Sequence, residues 1–208
     1  MIETLDEQSL AAACEKLSET DADLAFIFRI FGTPPLWKRQ ASFATLVHII
    51  LEQQVSLASA LSAYNKLREK IVEITPENVL RLSDEETKAA YFSRQKTIYV
   101  RGLAQAIFDG KLDLKRLETL HDADVRQELK KLKGIGDWTS DIYLLMALLR
   151  PDVMPKGDLA LHVTWQKLKH LPTKPNAEEF LKIAEKWKPF RAVAARLLWH
   201  FYLSAKKV

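Results

Sequence analysis

Two groups of residues in this 208-residue chain have types and spacings that can do chemistry. The first is Lys133-Gly134-Ile135-Gly136. Two glycines permit a tight turn with positive φ and let another backbone come close. Ile135 between them can plug into a core, and Lys130, Lys131 and Lys133 place positive charge alongside. An apolar helix follows, Trp138 to about Leu149, with Asp137 placed to cap it. Backbone amides at a helix start, with lysines beside them, suit a phosphate. The second group is Asp158, a lone carboxylate after the breaker-rich run Pro155-Lys156-Gly157, 24 residues beyond Gly134. One carboxylate can stabilise positive charge developing on a substrate and accept a proton from water. It can also simply cap the helix that Leu159-Ala160-Leu161-His162 begins. The two roles are compatible, because a helix N-terminus favours negative charge.

The elements that must position these groups read as helices throughout. Residues 124–131 have acidic residues first and lysines last, as the helix dipole favours. Leu132 to Gly136 is too short for anything but a helix–helix connection, so 124–149 reads as a helix-hairpin-helix. Upstream, Leu5 to Leu17 and Asp21 to Phe31 are amphipathic, and Gly32-Thr33-Pro34-Pro35 stops the second. Ser42 can cap a helix through about Gln53, with Phe43, Leu46, Val47 and Ile50 as one buried stripe. Gln54 falls on the same side if that helix continues. Ser56 can cap the next, with Leu57, Leu61, Tyr64 and Leu67 or Arg68 on one face. Thr75-Pro76-Glu77 is a helix start and Ser83 to Glu86 a capping box. Ser93 can cap a helix through Phe108, and Asn176 one that runs to Lys188, with Pro189 starting the last. In that last helix Phe190, Val193, Ala194, Leu197 and Phe201 form a stripe and Trp199 lies nearly opposite. A helix apolar on two sides is buried on two sides or borders a cleft. No paired alternating strands are evident, so an all-α fold is expected.

Composition bounds the rest. At 48% hydrophobic the chain can bury a full core, as one domain or two closely packed lobes. Lysine and arginine number 31 against 27 acidic residues, a surplus that permits a nucleic-acid partner without demanding one. The single cysteine, Cys14, excludes an intrachain disulfide and a four-cysteine iron–sulfur cluster and fits a reducing compartment. No apolar run approaches the ~20 residues of a membrane span. The acidic start MIETLDEQSL has no signal-peptide pattern, so an intracellular protein away from membranes is expected. Histidines 48, 121, 162, 170 and 200 show no zinc-ligand spacing, and no metal held by side chains is expected.

The residues LKGIGDWTSDI, followed by Pro-x-Gly-Asp-Leu-Ala-Leu, resemble the HhH-GPD superfamily of DNA glycosylases. That superfamily pairs the hairpin with a Gly/Pro-rich loop and a catalytic aspartate. Where members that also cleave the backbone carry a Schiff-base lysine, this chain has Trp138. In this it is similar to the alkylpurine branch, the 3-methyladenine DNA glycosylase II type. IILEQQVSLASA and WKPFRAVAARLLW resemble the same branch, and the resemblance covers Ser42 to Tyr202.

The resemblance implies a single unit over 1–208 of two helical lobes with a DNA-reading cleft between them. Lobe one is 42–150, with the helix-hairpin-helix at 124–149, and lobe two is 1–41 plus 151–208. It implies a monofunctional enzyme that flips alkylated purines out of double-stranded DNA and hydrolyses the N-glycosidic bond in base excision repair, without lyase activity. Asp158 matches the catalytic residue. Lys133, Gly134, Ile135, Gly136 and Thr139 match hairpin contacts to DNA. Gln53, Gln54 and Ser56 match the minor-groove contacts, with Gln54 as the wedge. Trp138 and Trp199 are the expected walls of the base pocket, with Trp37 and Trp165 as further candidates. A cationic alkylpurine over a Trp face gains ~0.5–2 kcal/mol over a neutral base, and it leaves without protonation. No cofactor is implied beyond a monovalent cation among the hairpin carbonyls, and a monomer is expected. The chain departs from the family at Tyr91-Phe92, where a glycine is usual, and at Ile142, where the pocket has a tyrosine. It also looks too short and too helical at its start for the N-terminal β domain of some members. Plainer alternatives stay open: a helix-hairpin-helix protein that binds DNA without chemistry, a glutamine pair closing a helix end, and a Trp199 packed on its neighbours.

Overall fold

The structure, a computed structural model, describes residues 3–204. Its helices are α1 Glu7–Thr20, α2 Ala22–Phe31, α3 Phe43–Glu52, α4 Leu57–Lys70, α5 Pro76–Leu80, α6 Asp84–Ala89 and α7 Arg94–Phe108. There follow α8 Leu114–Thr119, α9 Asp122–Lys130, α10 Asp137–Met146, α11 Leu159–Leu168, α12 Ala177–Ala184, a 3-10 turn Glu185–Trp187 and α13 Arg191–Ser204. There is no strand among the described residues, so the fold is all-α. None of the helices is long and apolar enough to cross a membrane. The chain forms two compact units, one from residues up to Lys38 together with those from Leu144 on, the other from Arg39 to Tyr143.

Short-range caps set most helix starts. Ser42, Ser56, Thr75, Ser83, Ser93, Asp158 and Asn176 each accept a backbone amide of the following first turn. Such caps are each worth ~1 kcal/mol because they satisfy amides the helix cannot. In the first unit Asp21 does more than cap α2. Its Oδ1 accepts from Asp23 and Leu24 amides, and its Oδ2 accepts from the Trp187 indole at 2.7 Å and the Lys186 ammonium at 2.7 Å. Burial alone pushes this carboxyl up, but the bonds from Lys186, Trp187 and Leu24 outweigh it and hold it below the usual aspartate value.

The axis of the first unit is α13. Ala192 to Trp199 are all buried, so this helix is covered on every side over two turns. Arg196, fully buried within it, donates to the carbonyls of Leu36, Ala192 and Leu145, and burial lowers its pKa to about 10. Cys14 is free and buried, and burial pushes its thiol up to about 12. The second unit packs Leu46, Val47, Ile49 and Ile50 of α3 with Val100 and Leu103 of α7, Val125 and Leu129 of α9, and Tyr143 of α10 in its core.

Several expected boundaries move. Asp137 is the first residue of α10 rather than its cap, and its carboxylate pairs with the Lys130 ammonium. That helix stops at Met146, because Arg150 N returns to Leu144 O and Leu149 turns left-handed at φ 54°. The helix begun at Asn176 gives way to the 3-10 turn before Lys188, and the last helix starts at Arg191, after Pro189. There the Asp152 carboxylate accepts from Arg191 N at 3.3 Å, a long-range cap. In α4 the buried face is Ala60, Ala63 and Leu67, whereas Leu57 and Leu61 are exposed. Helix α8 was not anticipated; Asp113 caps it by accepting from Lys115 and Arg116 amides.

Candidate functional site

In the first unit Asp158 stands at the N-terminus of α11, and Oδ1 accepts two hydrogen bonds. One comes from Leu161 N at 3.1 Å and the other from the Trp199 indole Nε1 at 3.1 Å. Two donors on one oxygen fix the rotation of the carboxylate, which is 8% exposed. Trp199 meets Trp37 edge to face, with ring centroids 6.2 Å apart. Trp37 is half-buried and left-handed at φ 48°, a conformation a non-glycine residue keeps only where its surroundings enforce it. One turn after Asp158, His162 is buried against Phe180 at 4.9 Å, with Nε2 unbonded within the protein. Burial lowers the His162 pKa, Asp158 raises it and Lys174 lowers it again; the net is downward. The imidazole is therefore uncharged at neutral pH and brings no cation to Asp158.

In the second unit the hairpin has the expected tight turn, with a division of labour between its glycines. Gly134 is left-handed at φ 92°, and a Cβ there would lie 2.1 Å from Cγ of Tyr99. Gly136 is not left-handed, and a Cβ there would meet nothing within 4 Å. Only the first glycine is required by the fold; the second leaves an open surface. Ile135 is 5% exposed and plugs the core, while Lys133 is exposed. Trp138 is half-buried in the first turn of α10.

The glutamine pair splits as well. Gln53 ends α3 and turns its side chain back, Nε2 donating to Gly134 O at 2.8 Å and to Thr139 Oγ1 at 2.8 Å. Gln54 does not continue the helix; it is exposed and left-handed at φ 57°. Ser56 caps α4 from an exposed position. Beside this loop lies a cavity of about 510 Å³ lined by Leu51, Val55, Ser59, Tyr91 and Lys96 among others. Tyr91, on this cavity's wall, has a left-handed φ of 63°.

Two expected contact residues are buried. Trp165 is 5% exposed and packs edge-on against Trp187 at 5.4 Å and Phe180 at 6.4 Å, so it belongs to the aromatic core of the first unit. Thr139 is 2% exposed with its hydroxyl taken by Gln53, which makes it a brace of the hairpin rather than a surface contact. Tyr99, which was given no role by sequence, and Lys96, which with Ser93 and Arg101 matches a Ser-x-x-Lys helix of the family, hold the site's backbone. The clue was present for Tyr99, since a left-handed glycine in a close-packed turn needs something large against it, but not which residue. Among the described residues no group of three His, Cys, Asp or Glu side chains could hold a metal. The hairpin carbonyls are hard oxygen donors, the kind a monovalent cation takes. Gly134 O already accepts from Gln53, and Gly136 O from Ser140 N and Oγ.

The chain is similar to known proteins in sequence and fold. The sequence pattern of HhH-GPD superfamily base excision DNA repair proteins matches residues 47–190. DNA-3-methyladenine glycosylase 1 of Schizosaccharomyces pombe is 30% identical over 166 residues, 78% of this chain and 73% of the relative. Among solved structures, an S. pombe 3-methyladenine DNA glycosylase in complex with abasic DNA superposes with a TM-score of 0.83 at 26% identity, covering 94% of this chain and 97% of that one. A DNA-3-methyladenine glycosidase from Bacillus halodurans superposes at 0.77 and 27% identity, covering 94% and 91%. With more than half of its length matched, hairpin and Asp158 included, the chain belongs to the HhH-GPD superfamily of base excision DNA repair proteins.

Proposed function

We propose that this protein is a monofunctional DNA glycosylase that excises alkylated purines from double-stranded DNA. The observation that carries the reading is the Asp158 carboxylate, oriented by both a helix amide and the indole of Trp199, with Trp37 against the same indole. A base inside a duplex must leave the stack before it can be reached, at a cost of a few kcal/mol that falls for a damaged base. Gln54, exposed on a left-handed turn, is the wedge that fills the gap. Lys133 and the amides around Gly136 hold backbone phosphate, with Ser56 and the start of α4 as a further contact. A monovalent cation among the remaining hairpin carbonyls would add positive charge beside that phosphate.

The 8% of Trp199 left exposed and the half-buried Trp37 packed against it offer aromatic surface for a base. A cationic purine over such a ring is favoured by ~0.5–2 kcal/mol. The same positive charge makes the base a good leaving group with no general acid. As the glycosidic bond breaks, positive charge grows on the sugar, and the fixed Asp158 carboxylate opposes it and takes a proton from the attacking water. With tryptophan at position 138 in place of a nucleophilic lysine, the reaction stops at the abasic site.

Release assays on duplexes carrying one 3-methyladenine, 7-methylguanine, hypoxanthine or ethenoadenine test the reading. Excision of at least one alkylated purine is expected, and a protein that binds these duplexes and releases none of the bases is a binding module instead. Borohydride added during turnover should trap no covalent adduct. A trapped band that disappears on mutating one lysine would overturn the monofunctional assignment.

A further inference from the structure

The Gln54 loop is tied down at two points on its α3 side. Lys96, in the first turn of α7, reaches back to the end of α3, where its Nζ donates to Leu51 O at 2.6 Å. The last carbonyls of a helix lack intrahelical donors and carry the negative end of its dipole, so an ammonium is well matched there. Lys96 is half-buried, and that burial lowers its pKa. Gln53 is the second anchor, tied to Gly134 O and Thr139 Oγ1. Directly after these ties Gln54 is left-handed at φ 57°. A non-glycine residue there is strained and persists only where its neighbours over-determine it. Helix α7 also supplies Tyr99, three residues after Lys96 and so on the same face, whose ring lies against Gly134. One helix face thus supports both the loop and the hairpin.

We propose that Lys96 is a positioning residue that clamps the end of α3, so that Gln54 is presented to the duplex already in its inserting conformation, in register with the phosphate-binding hairpin. The inference rests on the reading of Gln54 as the wedge. Wedge insertion and phosphate binding are then one operation of a stiff element. Without the clamp, each insertion must first order the loop, which slows base flipping while contacts to the backbone survive.

Lys96→Met keeps the aliphatic stem and removes the donor and the charge. Four measurements on it, with Gln54→Ala as reference, decide the matter: affinity for undamaged duplex, single-turnover release of methylated purines from dimethyl-sulfate-treated duplex at saturating enzyme, the fluorescence rise of 2-aminopurine opposite a tetrahydrofuran abasic analogue, and thermal unfolding. Lys96→Met should slow release roughly tenfold or more. It should lose the fluorescence rise as Gln54→Ala does and keep its duplex affinity. Lys96→Arg, which retains a charged donor, should recover most of both signals. If Lys96→Met is too unstable to assay, Lys96→Gln, which stays polar but loses the charge and the reach to Leu51 O, must show the same split. Lys96 is merely structural if the folded fraction of Lys96→Met releases bases at the normal rate, or if rate and affinity fall together without rescue by arginine. A normal Gln54→Ala would remove the wedge itself, a failure distinct from a slow Gln54→Ala beside a normal Lys96→Met.

Discussion

At the scale of single residues, Asp158 and Trp199 act as a pair. Asp158→Asn keeps an oxygen for Leu161 N and Trp199 Nε1, so the cap and the fold should survive while the charge is lost. Base release should fall by roughly 10²–10³-fold, the usual effect of removing one preorganised electrostatic stabiliser. A near-normal single-turnover rate would reduce Asp158 to a helix cap. Trp199 has two separable contributions, because its indole both holds Asp158 and offers a π face. Trp199→Phe deletes the hydrogen bond and should slow cationic and neutral lesions alike, by about tenfold. Trp199→Leu deletes the face as well, and should cost cationic 7-methylguanine and 3-methyladenine a further roughly two- to thirtyfold that neutral hypoxanthine escapes. Rates on all three lesions measure both effects. Equal losses for Leu and Phe on every lesion would remove charge selection from this residue and leave Trp138 or Trp37 to provide it.

At the scale of the element, the hairpin's two glycines answer to different demands. Gly134 is required from inside, by its left-handed backbone and by the Tyr99 ring where a Cβ would stand. Gly134→Ala should destabilise the protein by about 2–4 kcal/mol, strain and overpacking together. Combining it with Tyr99→Ala should recover the steric part but not the backbone part, and urea midpoints of the four proteins in that cycle separate them. Gly136 faces no such constraint. Gly136→Val should leave the urea midpoint unchanged within about 0.5 kcal/mol. It should weaken binding to damaged and undamaged duplex alike, since phosphate contacts carry no sequence information. Unchanged affinity at two salt concentrations would take the hairpin out of the interface.

At the scale of the whole molecule, acid should attack the first unit through Asp21. Its carboxyl is held below the ordinary value of about 3.9 in the folded state. The stabilisation is therefore complete above the unfolded value and is lost as pH falls through the folded one. Asp21→Asn retains an acceptor for the α2 amides but forfeits the ion pair with Lys186. It should cost about 1–3 kcal/mol at neutral pH, and the gap to the parent protein should narrow as pH falls below about 4. Unfolding curves from pH 7 to 3 check this, and a gap that stays constant would show that the charge of Asp21 is not what stabilises.

What the sequence by itself determined was local or compositional. The helix starts at Ser42, Ser56, Ser83, Ser93 and Asn176, the turn at Gly134 and the cap at Asp158 depend on bonds spanning three or so residues. Residue types alone announce those. The hairpin, the carboxylate and Trp138 also carry the family resemblance, so the all-α fold and the repair family were legible before any coordinates. Tertiary structure decided which side chains complete the site. Trp199 and Asp158 are 41 residues apart, Gln53 and Gly134 are 81 apart, and Lys96 and Leu51 are 45 apart. Five tryptophans look alike in a string of letters. Only packing sends Trp165 into the core with Trp187 and Phe180, sets Trp199 on the carboxylate and puts Trp37 against the Trp199 ring. The same holds for the two glutamines. Their order is in the sequence, but that one braces the hairpin and the other stands exposed follows from where α3 ends, and that end is clamped by a lysine from another helix.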